Sequence, residues 1–277
     1  MLKKRVITSL WFAPLLVVVV WFGGERGFTV LVAAFGILAA LEFYRMVAMA
    51  KPLPFTYFGL VWTAFFILGR NSEMLSFLTP YFTPGLLMPL LLTSAVVIPL
   101  IGLLVRRRKE EAFQSWVWTV AGILYVGWLL GHLVALRGLD DGRNWVFFIL
   151  FATWASDTFA FFVGRRFGRH KLAPGISPGK TWEGAAGGIV AAVIMSILFF
   201  TPTPFRLPMV YWQVIPLAVL VSIFGQLGDL VESLLKRNVG VKDSGSLMPG
   251  HGGVLDRIDS LVFASVVVYY VVYYCSV

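Results

Sequence analysis

The chain has 277 residues, 58% of them hydrophobic and 13% charged, with a mean hydropathy of +0.83, which excludes a water-soluble globular domain and a disordered chain. A net charge of +9 would suggest nucleic acid for a soluble protein; here it raises the question of which side of a membrane the charges occupy, and no nucleic-acid partner is expected. The single cysteine, Cys275, rules out intrachain disulfides and zinc-ribbon sites.

A spanning helix needs about 20 mostly apolar residues, because hydrocarbon offers the backbone no water to bond. Met1 to Phe22 starts basic and continues apolar, but no small-residue cleavage site precedes Gly23, so it predicts a retained first helix, Val6 to Phe22. Further spans are expected at Gly27 to Met49, Phe55 to Gly69 (the shortest), Pro84 to Val105 and Gln114 to Leu136. Asn144 to Val163, Trp182 to Thr201, Tyr211 to Glu232 and Ile258 to Val277 complete nine. The expected fold class is an all-α polytopic helical bundle, with residues 1–136 forming an N-terminal membrane region of five spans. Residues 137–277 form a catalytic membrane region with cytoplasmic loops 164–181 and 233–257.

With the N-terminus cytoplasmic, 18 of the 23 basic residues fall inside, and only Arg26, Arg70, Arg137, Arg143 and Arg206 fall outside. That asymmetry is the positive-inside pattern, and a helix gained or lost midway would invert the later loops. Most of the charge is therefore topological; the Arg106 to Glu111 run reads as a solvated loop. Trp11, Trp21, Trp116 and Trp145 lie near helix ends, where amphipathic rings sit in the interface. No internal repeat is present.

Seven of the 14 acidic residues, Asp157, Glu183, Asp229, Glu232, Asp243, Asp256 and Asp259, gather on the inner face at the ends of four helices. Ionisable groups in a span are expensive and default to a functional reading. Glu42, alone in the second helix, is instead expected to pair with the inner basic loops, so Glu42→Gln should have little effect. Asp229 and Glu232 are spaced i, i+3, with Lys236 a turn further on, and Asp256 and Asp259 repeat that spacing. Each carboxylate pair repels itself, and facing oxygen ligands suit a hard cation such as magnesium.

Between the pairs runs a turn-rich segment from Gly240 to Gly253, whose glycines let backbone N–H groups face an anion. Lys236, Arg237, Lys242 and Arg257 add charge-assisted bonds to phosphate. Upstream, Ser177 to Glu183 opens the seventh helix, where amides and dipole favour an anion. Gly175 to Gly179 is one residue too short for a Walker A box, and position 174 is proline. Gly184 and Gly188 read mainly as a close helix contact. His251 is open between phosphate donor, general acid and loop hydrogen bonder; His132 and His170 have no assigned role.

Ser233-Leu-Leu-Lys236-Arg237, Lys242-Asp-Ser-Gly245, Pro249-Gly-His-Gly-Gly253 and Asp256-Arg-Ile-Asp259 closely resemble the signature of bacterial phosphatidate cytidylyltransferases, the CDP-diglyceride synthases. Gly228 to Glu232, the Asp157 segment and Ser177 to Gly184 extend the resemblance, which covers about Trp154 to Ser260. Gly179 stands where the family usually has lysine, leaving more weight on Lys180.

The resemblance implies an inner-membrane enzyme facing the cytoplasm that makes CDP-diacylglycerol and pyrophosphate from CTP and phosphatidic acid. It implies Asp229 and Asp256 as a magnesium dyad, with Glu232, Asp243 and Asp259 as supporting ligands or orienters of basic residues; a second, monovalent cation is allowed. Asp229, Asp256, Lys236, Lys242 and Asp243 are the expected catalytic set. Expected substrate contacts are Asp157, Ser177, Lys180, Thr181, Glu183, Ser233, Arg237, His251, Gly252, Gly253 and Arg257. The bilayer supplies phosphatidate sideways, and a homodimer is compatible with the chain. The alternatives are a CTP-dependent polyprenol-type lipid kinase and, further off, an ion-coupled transporter, whose acids should lie near mid-membrane.

Overall fold

A computed structural model of the chain describes residues 14–49, 53–71, 73–74, 84–106, 109–199, 203–245 and 252–275. The chain divides into two compact units: residues 1–135 with 239–257, and residues 136–238 with 258–277.

The first unit contains α1 (14–22), α2 (Gly24–Met49), α3 (Thr56–Leu68), α4 (Pro84–Gly102) and α5 (Ala112–Gly122). A π-helical stretch, Ile123–Trp128, runs from α5 into α6 (Leu129–Arg137). Helices in lipid gain little from burying apolar groups against each other, so small residues that admit close approach decide the packing. The Tyr44 side chain of α2 shows this: its hydroxyl donates to the Thr119 carbonyl at 2.9 Å, and its ring fills the space that a Cβ at Gly59 or Gly122 would take. Thr119 in turn accepts from the Phe55 amide just before α3 (2.8 Å). Phe43, Phe66, Ile67 and Ile123 are fully buried.

The second unit contains α7 (Gly142–Phe167), a β-hairpin of β1 (Lys171–Ala173) and β2 (Ser177–Thr181), α8 (Trp182–Ile197), α9 (Tyr211–Asn238) and most of α10 (Leu255–Cys275). Gly184 and Gly188 do make a close helix contact: a Cβ would lie 2.7 Å from the Ala160 carbonyl oxygen at the first and 2.9 Å from Ser156 Oγ at the second. Ser156 also meets Ser222 (2.7 Å), and Gln226 donates to Ser222 (3.0 Å) and to the Ala185 carbonyl (3.2 Å), giving α7, α8 and α9 a polar seam. Their outer faces expose Phe161, Phe162, Ile194 and Trp212, as lipid contact requires.

Among the described residues six helices are long and apolar enough to cross a membrane, so the fold is a polytopic helical one. The expected third and seventh spans are apolar helices of 13 and 16 residues, roughly 20 and 24 Å long against about 30 Å of hydrocarbon. The first 13 residues, with much of the expected first span, lie outside the described residues. Two expectations need correction. The fold is not purely α: Lys171 pairs with Thr181 and Ala173 with Ser177 in the antiparallel hairpin, closed at Pro174-Gly175 by a bond from the Ile176 amide to the Ala173 carbonyl (3.1 Å). And α9 runs through the expected loop start to Asn238, because Leu234 and Leu235 continue the helical pattern and Lys236 and Arg237 complement the dipole of its last turn.

Candidate active site

In the second unit, α9 presents Asp229, Glu232, Ser233 and Lys236, spaced to share one side of the helix. Asp259 joins them from the first turns of α10, and oxygens of Asp229, Glu232 and Asp259 all lie within 4.8 Å of one another. Gly228 makes this meeting possible, since a Cβ there would come 2.5 Å from the Asp259 carbonyl oxygen. Lys180 Nζ, from β2, pairs with Asp229 at 2.8 Å and also donates to the Gln226 carbonyl (3.4 Å). Lys236 pairs with Glu232 at 2.9 Å, both side chains being largely buried. Ser233 Oγ donates to Asp229 (3.3 Å), and the Ser260 amide to Asp259 (2.7 Å). Asp157, exposed on α7, adds its negative field to Asp259.

Among the described residues three carboxylates cluster with a fourth nearby, and two lysines pair with them, in a partly buried place. All donors are hard oxygens, which fits a magnesium ion that keeps several waters and bridges phosphates, and does not fit a soft-metal site.

The hairpin region is organised by its polar residues. Thr181 caps α8, its hydroxyl accepting from the Gly184 amide at 3.1 Å. Glu183 accepts from the Arg169 and His170 amides (3.1 and 3.3 Å) and from His170 Nδ1 (2.6 Å), so the previously unassigned His170 helps fix the chain entering β1. Arg237 Nε reaches the Ile176 carbonyl at 3.4 Å. Ser177 starts β2, partly buried.

Asp256 belongs to the first unit's cluster. Its Oδ2 accepts three bonds: from the Ser244 amide (3.2 Å), the Ser244 hydroxyl (2.9 Å) and the Gly253 amide (2.8 Å). The bond to Gly253, three residues back, ties Asp256 in the first turn of α10 to the chain entering that helix. Gly252 carries φ +81°, a conformation that favours glycine, and a side chain there would also press on Asp256. Lys242, Asp243 and Arg257 are exposed; His251 lies outside the described residues.

Among the described residues Glu42 makes no ion pair with the basic loops, of which Lys51, Arg107 and Arg108 lie outside the described residues. It is 2% exposed, and its Oε2 accepts from the Leu255 amide at 2.9 Å and lies 3.4 Å from Ser244 Oγ. A cavity of about 300 Å³ lies beside it, with Arg45, Asp243 and Ser244 as the other polar lining. The sequence signal was present, a lone acid in an apolar helix, but nothing local tied it to a loop some 200 positions away.

Residues 3–275 match the cytidylyltransferase family model. The chain belongs to the cytidylyltransferase family. A phosphatidate cytidylyltransferase of Bacillus subtilis is 33% identical over 270 residues, covering 97% of each chain. One of Brucella abortus is 36% identical over 275 residues, covering 97% of this chain and 92% of its own. One of Staphylococcus haemolyticus is 40% identical over 164 residues, 59% of this chain and 62% of its own. The first five expected helices, which resembled the family only in being apolar, thus belong to the matched stretch. As a cytidylyltransferase the chain is an enzyme that transfers a nucleotidyl group, and the transporter and lipid-kinase alternatives fall away.

Proposed function

We propose that this membrane cytidylyltransferase joins CTP to phosphatidic acid, giving CDP-diacylglycerol and pyrophosphate, at the cytoplasmic face of a bacterial cell membrane. The observation that carries the reading is the Asp229, Glu232 and Asp259 cluster with Lys180 and Lys236 paired to it. Nine spans with a cytoplasmic N-terminus fit the distribution of basic residues, which supports a site on the side where CTP is made.

The reaction needs no protein nucleophile. A phosphatidate oxygen, already ionised at neutral pH, attacks the α-phosphorus of CTP; the bond from that phosphorus to the bridging oxygen breaks, and its electron pair leaves with pyrophosphate. The obstacle is bringing two polyanions together while charge builds on the leaving group, so catalysis rests on positioning and electrostatics. Asp229, Glu232 and Asp259 would hold magnesium, which when bound neutralises phosphate charge.

Lys180 gives one N–H to Asp229 and one to the Gln226 carbonyl, and its third is our candidate donor to a phosphate oxygen. Lys236 pairs with Glu232. Arg237, Lys242 and Arg257 supply further cationic contacts, and Ser177 and Ser233 hydroxyl donors. Asp256, whose Oδ2 is anchored by three described donors, is the other acid of the signature that we assign to the reaction. Acyl chains remain in lipid while the phosphate head reaches the site.

The test is detergent-purified protein with CTP, phosphatidic acid and magnesium, following pyrophosphate and lipid product mass. CDP-diacylglycerol that forms only with magnesium supports the proposal. Folded protein that releases CDP and phosphorylates a lipid alcohol instead would sink it.

A further inference from the structure

The loop that carries Ser244 and Gly253 is built around a buried acid from a distant helix. Glu42 is 2% exposed, and its Oε1 is buried with no hydrogen-bond partner among the described residues. A polar atom left so is costly and calls for an explanation other than stability. Two glycines yield space to this carboxylate. A Cβ on Gly245 would lie 2.6 Å from Oε1, and one on Gly253 would collide with Oε2 and with Ser244 Oγ. A neutral, smaller side chain at position 42 would leave these voids purposeless.

What the carboxylate touches gives its role. Oε2 takes the Leu255 amide, one of the first N–H groups of α10, which has no partner inside the helix. It also stands 3.4 Å from Ser244 Oγ, which is 2.9 Å from Asp256 Oδ2. A hydroxyl has one proton, and the shorter distance assigns it to Asp256. Glu42 therefore fixes, from behind, the residue before Asp256 by a hydrogen bond, and it packs against the Ser244 oxygen whose proton goes to Asp256.

We propose that Glu42 is a positioning residue for the reaction: through Leu255 and Ser244 it sets the place and orientation of the Asp256 carboxylate. This deepens the functional reading above and rests on Asp256 taking part in turnover. It reverses the expectation that Glu42→Gln is silent. Glutamine with its oxygen in the Oε2 place keeps both contacts, but it removes the negative charge and sets an NH2 in the Oε1 place, where the described residues give that atom no hydrogen-bond partner.

The experiment measures kcat and KM for CTP in the full-length protein for Glu42→Gln, Glu42→Asp, Ser244→Ala, the Glu42→Gln/Ser244→Ala double variant and Asp256→Asn, with thermal unfolding in the same detergent. Glu42→Gln is expected to lower kcat about tenfold or more with little change in KM or unfolding temperature, as misplaced catalytic groups do. The double variant should lose no more than the worse single one, because both act on one carboxylate. Glu42→Asp, which keeps the charge one methylene short, should fall between. Wild-type kcat in Glu42→Gln, or losses that multiply in the double variant, would overturn the proposal. So would a loss that tracks unfolding temperature across all the Glu42 variants. Full activity in Asp256→Asn would instead refute the role given to Asp256, which separates the two failures.

Discussion

Replacing Gly228 by alanine adds one methyl group where α9 meets α10. It would lie 2.5 Å from the Asp259 carbonyl oxygen and 3.2 Å from the Phe263 ring. The first neighbour is backbone, so no rotamer change relieves it, and the helices must part by about half an ångström to reach even a 3.0 Å contact. Overpacking of this kind costs about 1–3 kcal/mol, small enough for the protein to remain folded. The consequence for chemistry is larger, because Asp229 and Glu232 move with α9 while Asp259 moves with α10. A misplacement near 1 Å can cost about 100-fold in rate, so a half-ångström opening should cost about tenfold and raise the magnesium needed for half-maximal rate. The assay is pyrophosphate release against magnesium concentration, with Gly85→Ala as control, since nothing lies within 4 Å of a Cβ there. Gly228→Ala with the wild-type rate and magnesium midpoint would refute the idea that this helix contact sets the carboxylate spacing.

Asp256→Asn should abolish turnover while the protein keeps its unfolding temperature within a few degrees, because the amide oxygen can still accept from Ser244 and Gly253; retained turnover would remove Asp256 from the reaction. Thr181→Ala removes the α8 cap and should cost about 1 kcal/mol, read as lower thermal stability with a smaller change in rate. Lys236→Met leaves Glu232 buried without its lysine and should destabilise by about 3 kcal/mol; the Glu232→Gln/Lys236→Met double variant should regain part of that stability, and failure to do so would mean the pair is not what holds the charge there.

The helical membrane character was legible because hydropathy is a local property, and so was the Gly184 and Gly188 contact, because close packing in lipid leaves a four-residue imprint. The i, i+3 spacing of Asp229 and Glu232 placed both on one side of α9, where the structure puts them with Asp259. The hairpin was missed because its strands are three and five residues long, too short for an alternating pattern to register; Pro174-Gly175 was its one local signal. The surroundings of Glu42 were not legible for a different reason. A lone acid in an apolar helix says that a partner exists, but its partners, Ser244 and Leu255, are fixed only by tertiary packing.

In the proposed reaction, which uses no protein nucleophile, both acid clusters have the same task. If the attacking oxygen arrives ionised, side-chain reactivity is not limiting, and the protein's contribution is to hold charges of both signs at fixed places against their own repulsion. That requires devices which are not themselves chemical. Lys180 and Lys236 hold Asp229 and Glu232, three donors hold one oxygen of Asp256, and Gly228, Gly245 and Gly253 give up side chains so that backbone and carboxylate can approach. In such a site a methyl group added at a glycine can cost nearly as much rate as removing a cationic contact to substrate, because it displaces a charge that the reaction needs in place rather than deleting one that water or a neighbouring lysine can replace.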